Sequence, residues 1–304
     1  MHELNNLPLI SIIFPSWNSK EETVQCIKSL SQLDYPKSNL ELIIVDNGSV
    51  DGSQESIKLE INSLQNGGWN SVKLVELKEN IGIPAAYNEG YNLVHKDSFA
   101  VLRTESDVKF DVSCLKELVK ELLLRPSVGV VGCLVLDIDG TMKDTGAIYF
   151  PRWSVGFHVQ FHTESTVCDG VLGCAMLIRR ESINKLDYFF DKNLFINKDE
   201  SDLSIRLKRI GYNTLFDPKA IVYHKGGTST RKISKISRYY SIRNGAFLIK
   251  KYDDFLPKLL KLSYNLIYSL LKLPIDRVPF LAFVDGLRFP HNNKKLILKL
   301  LDIK

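Results

Sequence analysis

Several signatures are missing from this chain. Its five cysteines, at positions 26, 114, 133, 168 and 174, form no C-x-x-C pair and are odd in number. That argues against a disulfide framework and a cysteine zinc site, and for a reducing compartment. The amino-terminal stretch MHELNNLPLISIIFP has neither a basic leader nor a long apolar core, so no signal peptide is expected. No internal repeat and no low-complexity tract occur. The most lipid-like segment, FLPKLLKLSYNLIYSLLKLP (255–274), mixes Leu, Ile and Tyr with Lys and has no run of about 18 apolar residues. It reads as lying at an interface and not as spanning one, the alternative being a basic helical subdomain packed on the core.

What is present is an ordinary globular composition: 304 residues, 44% hydrophobic and 25% charged, enough for one large domain or two small ones. The net charge of +5 conceals an asymmetry. Residues 225–304 carry 17 Lys and Arg against 5 Asp and Glu, a net of +12; the preceding part holds 23 basic and 30 acidic residues, a net of −7. A basic tail on an acidic body suggests a polyanionic partner: anionic lipid, a diphosphate or nucleic acid.

The first half alternates strand and helix. LISIIFP (9–15), LELIIV (40–45), VKLVEL (72–77), FAVL (99–102) and VGVVGCLVL (128–136) are short apolar runs typical of buried strands. Ser19 and Glu22 make a capping-box pattern ahead of Val24, Ile27, Leu30 and Leu33. A helix is expected from about Gly52, another from Pro84 towards His95, and a third through Leu115, Leu118, Val119 and Leu122. This alternation implies a mostly parallel sheet, whose ligands bind beyond the carboxyl ends of its strands. Four polar clusters fall there: Ser16-Trp17-Asn18, Asp46-Asn47-Gly48-Ser49, Asn80-Ile81-Gly82 and Glu105-Ser106-Asp107. After Gly170 come the apolar VLGCAMLIRR, a carboxylate-rich helix, a turn at His224, a helix around 234–250 and basic helices to the end.

Each cluster has a functional and a plain reading. Asp46 can accept hydrogen bonds from a ribose or base, or simply close a D-N-G-S turn. Glu105 and Asp107, two apart on an extended segment, would point to opposite sides, one to a metal and the other to a nucleotide or water; an acidic loop is also common as solvated surface. Asp199, Glu200 and Asp202 crowd a helix start, with Leu203, Leu207 and Ile210 facing the core and Gly211 ending the helix. The helix dipole accounts for one such carboxylate better than for three. His224 follows AIVY and precedes Gly226-Gly227, a structural histidine or one on tight backbone beside a ligand.

Taken in order, FPSWN, VDNGSVDGS, ENIGIPAAYNEGY, LRTESDV, GCAMLIRR, NKDESDLSIRLKRIGY and AIVYHKGG resemble the inverting family 2 glycosyltransferases, and within them the rhamnosyl- and galactofuranosyl-transferase branch. YYSIRNGAFLIKKY and FVDGLRF add to the likeness, which covers about residues 9–250. The resemblance implies an α/β GT-A (Rossmann-like) fold, a mostly parallel sheet flanked by helices, over residues 1–250, with a helical basic extension over 251–304. It implies transfer of a hexose or rhamnose-like deoxyhexose from a UDP- or dTDP-sugar to a glycan or lipid-linked acceptor, in surface polysaccharide or glycoconjugate assembly. Pro15, Trp17, Asn18 and Asp46 would hold the nucleoside, with Asn80 and Asn88 nearby. Asp107 would bind Mn2+ or Mg2+, Glu105 takes the first acidic position of the same motif, and His224 would complete the metal site. The Gly170–Cys174 loop, Gly173 included, would line the donor sugar, and Arg243 is the candidate for the diphosphate. Where the family commonly has E-D-x-D-L, this chain has D-E-S-D-L. Glu200 falls on the catalytic-base position and Asp199 precedes it, so both remain candidates.

A nucleotidyltransferase should carry a glycine-rich, Lys- or Arg-bearing loop after the first strand, which FPSWNSKEE lacks. No nucleic-acid partner is expected, because no binding motif accompanies the basic tail and the aromatics are spaced like core positions. The alternative is a nucleotide-sugar-binding module without catalysis, given the unusual E-x-D and D-E patterns. The expected location is cytoplasmic, peripheral on the inner face of the cell membrane through an anionic lipid surface.

Overall fold

Short β-branched runs with no helical periodicity become strands, and the amphipathic runs between them pack over both faces. The computed structural model describes residues 7–141, 146–150, 158–224 and 234–289. The strands are β1 (Ile10–Ser16), β2 (Leu40–Asp46), β3 (Ser71–Glu76), β4 (Ala100–Thr104), β5 (Val108–Phe110), β6 (Val128–Leu136), β7 (Ala147–Tyr149), β8 (His158–Gln160), β9 (Thr166–Cys168), β10 (Ala175–Arg179) and β11 (Asn213–His224). The helices are α1 (Lys20–Ser31), α2 (Ser53–Asn66), α3 (Ile83–Tyr91), α4 (Cys114–Leu124), α5 (Arg180–Ile183), α6 (Asp199–Arg209), α7 (Ser234–Tyr252), α8 (Phe255–Lys272) and α9 (Val278–Leu287).

The main sheet runs β3-β2-β1-β4-β10-β6-β11-β5, with β9 also on β11, and β7 pairs β8 apart from it. β3, β2, β1 and β4 are parallel neighbours, as the strand–helix alternation predicts. Beyond β4 the sheet is mixed. β10 inserts between β4 and β6, antiparallel to both, and β11 runs parallel to β6 but antiparallel to β5 and β9. The fifth predicted strand, β6, therefore does not follow β4 in space; unbroken parallel pairing is confined to β3-β2-β1-β4, and beyond it β11 on β6 is a parallel pair among antiparallel ones.

Every residue of β1 and β2 is buried, as a strand covered on both faces must be. Ile12 and Phe14 pack into one apolar cluster and Ile13 into another on the opposite face. A third cluster joins Tyr239 and Tyr240 of α7 to Val278 and Ala282 of α9, with Phe195 and Ile196 packed against it. It ties the helical end of the chain to the loop ahead of α6.

Some local expectations give way to tertiary contacts. Ser19 stands at the start of α1 but makes no capping bond; its hydroxyl lies 3.1 Å from that of Ser106 and 3.2 Å from Thr23 Oγ1. α3 stops at Tyr91, and His95 instead donates its backbone N–H to the buried Glu41 carboxylate at 2.8 Å. Ile210 is 42% exposed, because α6 ends at Arg209 before that position turns inward.

Candidate active site

The parallel registers end together: Ser16 pairs with Asp46 and Asp46 with Glu76. The loops that follow are stitched to one another. Asn18 accepts from Val50 N–H at 2.9 Å and donates its own N–H to Ser49 Oγ at 3.0 Å. Asn47, fully buried, donates to Asn80 Oδ1 and accepts from Ile81 N–H. Asn80 Oδ1 also accepts from Gly82 N–H. Gly48, at φ +78°, lies so close to the Glu79 backbone that a Cβ would come within 2.6 Å of it. Asp46 has no exposed surface; one carboxylate oxygen accepts from Ser49 N–H and Gln54 Nε2, and the other has no hydrogen-bond partner among the described residues. An unmet buried carboxylate oxygen is costly, and it suits a ligand hydroxyl or amide. Pro15 is buried inside β1, and Trp17 is half-buried at the strand end. Asn18, expected at the nucleoside, and Asn80, expected near it, both hold the loops through their side-chain oxygens.

Glu105 and Asp107 do not point to opposite sides. Residues 105–107 turn between β4 and β5 instead of continuing as a strand. β11 pairs antiparallel with β5, setting His224 opposite Val108, next to Asp107. His224 Nε2 lies 3.2 Å from Asp107 Oδ1 and 3.8 Å from Glu105 Oε2, and ligand atoms of the three residues fall within 4.8 Å of one another. Burial raises the Glu105 carboxyl; Arg103 opposes the rise, Asp107 adds to it, His224 opposes and Glu200 adds again. Two hard oxygens and one imidazole, with their negative charges crowded, are positioned to hold a divalent cation. The expected glycines at 226 and 227 lie outside the described residues.

The three carboxylates at the start of α6 have three different fates. Asp199 is buried and bonded to the buried Arg103 at 2.8 Å. Burial pushes its carboxyl up to about 7; Arg103 opposes this, and Glu200 and Glu105 add to it. Arg103 also donates to the Gly173 carbonyl and stacks over Tyr87, its Cζ 4.7 Å from the ring centroid. Gly173 leaves the room for this guanidinium, since a Cβ there would collide with it. Asp202 is fully buried and accepts from Arg206 at 2.7 Å, Lys251 at 2.9 Å and Tyr252 at 2.6 Å, anchoring the end of α7. Glu200 is half-buried and lines an open cleft of about 670 Å3 with Leu172, Lys198, Ser237, Arg238 and Tyr268.

Two predicted site residues sit elsewhere. Arg243 has no exposed surface; it donates to the Asn193 carbonyl and Asn244 Oδ1 and lies over the Phe289 ring, so packing of α7 occupies the group expected at a diphosphate. Asn88 exchanges two hydrogen bonds with the Phe190 backbone, at 2.8 and 3.0 Å, and serves as a tie between α3 and that segment.

Two residues were not singled out in the sequence. Arg103 stood inside LRTESDV, and a lone arginine in an otherwise apolar strand was its only signal. Asn244, fully buried, has its Nδ2 2.9 Å from each of the Leu194, Ile196 and Asn197 carbonyls. It pins a strained loop: Phe195, Asn197 and Lys198 all have positive φ, from 65° to 69°. Such conformations cost of order 1–3 kcal/mol each and persist where surrounding structure fixes them. Asn197 is held further by bonds to the Ser237 carbonyl and hydroxyl. This loop delivers Asp199 and Glu200.

Residues 11–187 match the model of glycosyl transferase family 2, and the chain belongs to that family. It is 25% identical over 258 residues to a Methanococcus voltae dolichyl N-acetyl-alpha-D-glucosaminyl phosphate 3-beta-D-2,3-diacetamido-2,3-dideoxy-beta-D-glucuronosyltransferase, covering 81% of this chain and 76% of that protein. The fold resembles a mannosyltransferase from Pyrobaculum calidifontis, solved with GDP-Man and Mn2+, with a TM-score of 0.63 at 16% identity over 98% of this chain and 80% of that one. It also resembles GalNAc-T7, solved with UDP, GalNAc and Mn2+, with a TM-score of 0.68 at 18% identity over 97% of this chain and 56% of that one. The architecture is the GT-A fold.

Proposed function

We propose that this member of glycosyl transferase family 2 is an inverting, metal-dependent transferase. It moves a hexose or rhamnose-like deoxyhexose from a UDP- or dTDP-linked donor to a glycan or lipid-linked acceptor. The observation that carries the proposal is a group that could hold a metal, Glu105, Asp107 and His224, joined through the buried Arg103–Asp199 pair to the start of α6, where Glu200 faces an open cleft. Arg103 lies 4.0 Å from Glu105 and 2.8 Å from Asp199, the residue that precedes Glu200. The Methanococcus relative, whose name carries a dolichyl phosphate, supports a lipid-linked acceptor, and such an acceptor would bring the enzyme to the inner face of the cell membrane.

Glu200 is the base in this reading, because Asp199 is committed to Arg103 while Glu200 faces the cleft. Glu200 takes the proton of an acceptor hydroxyl. The hydroxyl oxygen bonds to the anomeric carbon on the face opposite the nucleoside diphosphate, the bond from that carbon to the diphosphate oxygen breaks, and its electron pair leaves with the diphosphate. Asp199 positions Glu200 by fixing the first turn of α6, and the unmet oxygen of Asp46 accepts from the nucleoside. Bound at Glu105, Asp107 and His224, Mn2+ or Mg2+ would neutralise charge on the leaving diphosphate; the single nitrogen favours Mn2+.

Metal-dependent hydrolysis measured over a panel of UDP-, dTDP- and GDP-sugars, in wild type and Asp107→Ala, tests this. One donor cleaved only with the ion present, and not by the variant, supports the transferase and names the sugar. Nucleotide binding without cleavage or transfer to any glycan or lipid-linked acceptor would favour a binding module. Transfer with retained anomeric configuration, read by NMR, would overturn the inverting mechanism.

A further inference from the structure

Helix α8 is amphipathic, but it is mounted inside out. A surface helix normally buries its apolar stripe and presents its polar face to water. Here the polar side faces the protein: Lys261 is only 8% exposed and pairs with Asp253 at 3.0 Å, and Ser269 is fully buried with its hydroxyl 3.3 Å from the Pro279 carbonyl. The apolar side faces outward. Phe255 is 80% exposed, Leu271 74%, Ile267 58% and Tyr264 58%, and Ile275 just beyond the helix is 85% exposed. Leu259 and Leu270 complete a continuous face with them. A contiguous apolar surface of this extent on a folded protein marks an interaction site.

We infer that this face is a docking surface for an anionic bilayer, with α8 lying in the plane of the interface. No helix among the described residues is long and apolar enough to cross a membrane, and in-plane insertion needs only one apolar face of modest depth. Charge selects the occupant. Lys272, Arg277 and Arg288 are exposed around the same unit. Three of its acids have partners: Asp253 pairs with Lys261, Asp276 with Arg238 at 2.7 Å, and Asp285 accepts from the Tyr239 hydroxyl at 2.5 Å. Residues 225–304 as a whole carry 17 basic against 5 acidic side chains. A second copy packed on this face about a twofold axis would set the same basic rim against itself, which is repulsive. Anionic lipid matches both the apolar face and the rim. Tyr268 of α8 also lines the cleft that holds Glu200. Docking would therefore place the mouth of that cleft at headgroup level; this last consequence rests on the lipid-linked acceptor proposed above, and the docking itself does not.

The test uses the full chain and vesicles of phosphatidylcholine with or without phosphatidylglycerol, read by co-sedimentation. Wild type should partition onto the anionic vesicles at least about tenfold more strongly than onto neutral ones, and less so as salt rises. The double substitution Ile267→Glu with Leu271→Glu, at exposed positions that leave folding unchanged, should lower that partition by about tenfold or more. Its nucleotide-sugar hydrolysis in vesicle-free solution should equal that of wild type. Absence of wild-type binding would overturn the inference, as would a variant that binds equally well. So would a wild-type dimer in light scattering that the variant disrupts, without vesicle binding, since the face would then join two copies. Vesicle binding without hydrolysis of any donor would leave the docking surface standing and count against the transferase.

Discussion

The two halves of the sheet build their parts of the site by different means. In the parallel half, β3-β2-β1-β4, the polar residues come directly after strands and are held by loop-to-loop bonds along one rim, as with Asn18 to Val50 and Asn47 to Ile81. In the mixed half and at its junction with β4, the groups meet only through antiparallel pairing and buried ions: His224 reaches Asp107 because β11 lies on β5, and Arg103 of β4 reaches Asp199 across 96 residues of chain. The first half is a repeated local pattern that sets where a ligand lies. The second half is a single assembly in which each member depends on the others for its geometry.

That contrast predicts large effects in the mixed half and small ones in the parallel half. Glu200→Gln should lower transfer by about 10²–10⁴-fold while donor binding and the thermal midpoint stay put. If Asp199→Asn instead abolished transfer at unchanged stability, and Glu200→Gln remained active, the roles of the two would be exchanged. Arg103→Met removes one partner of a buried pair and should cost about 3–5 kcal/mol in urea unfolding. Mn2+ at a hundred times its dissociation constant should stabilise the fold by about 2.7 kcal/mol, an increment that His224→Ala should abolish. Asn244→Ala should cost about 1–3 kcal/mol and lower kcat, with KM for the donor unchanged, because it frees the loop that carries Glu200 and touches no donor contact. Asp46→Asn, in the parallel half, should weaken nucleotide binding by roughly tenfold in calorimetry and leave the urea midpoint within error. A large stability loss there would mean that the parallel rim is as interdependent as the mixed one.

Much of the first half was legible because its determinants are local. A run such as LELIIV must be a covered strand, and the D-N-G-S that follows must turn, whatever surrounds it. The acidic start of α6 was equally visible, but its meaning was not. Asp199, Glu200 and Asp202 have the same chemistry and the same helix end, and nothing in their spacing distinguishes an ion-paired carboxylate from a cleft-facing one or an anchor. The partners that separate them, Arg103 on one side and Lys251 and Tyr252 on the other, are remote in sequence. Arg243 shows the same limit from the other direction: a basic residue in the right motif was expected at a diphosphate, and helix packing withdrew it into the interior.

The sequence by itself determined the five long strands of the first half and the helices between them, the rim on which the polar clusters gather, and the family, because hydrophobic period and turn chemistry act over a few residues. Tertiary structure alone decided which strands run antiparallel, which of three neighbouring carboxylates faces the cleft, and which side of α8 faces outward. Those outcomes depend on long-range burial and ion pairing, and the same short segment placed against different neighbours would resolve them differently.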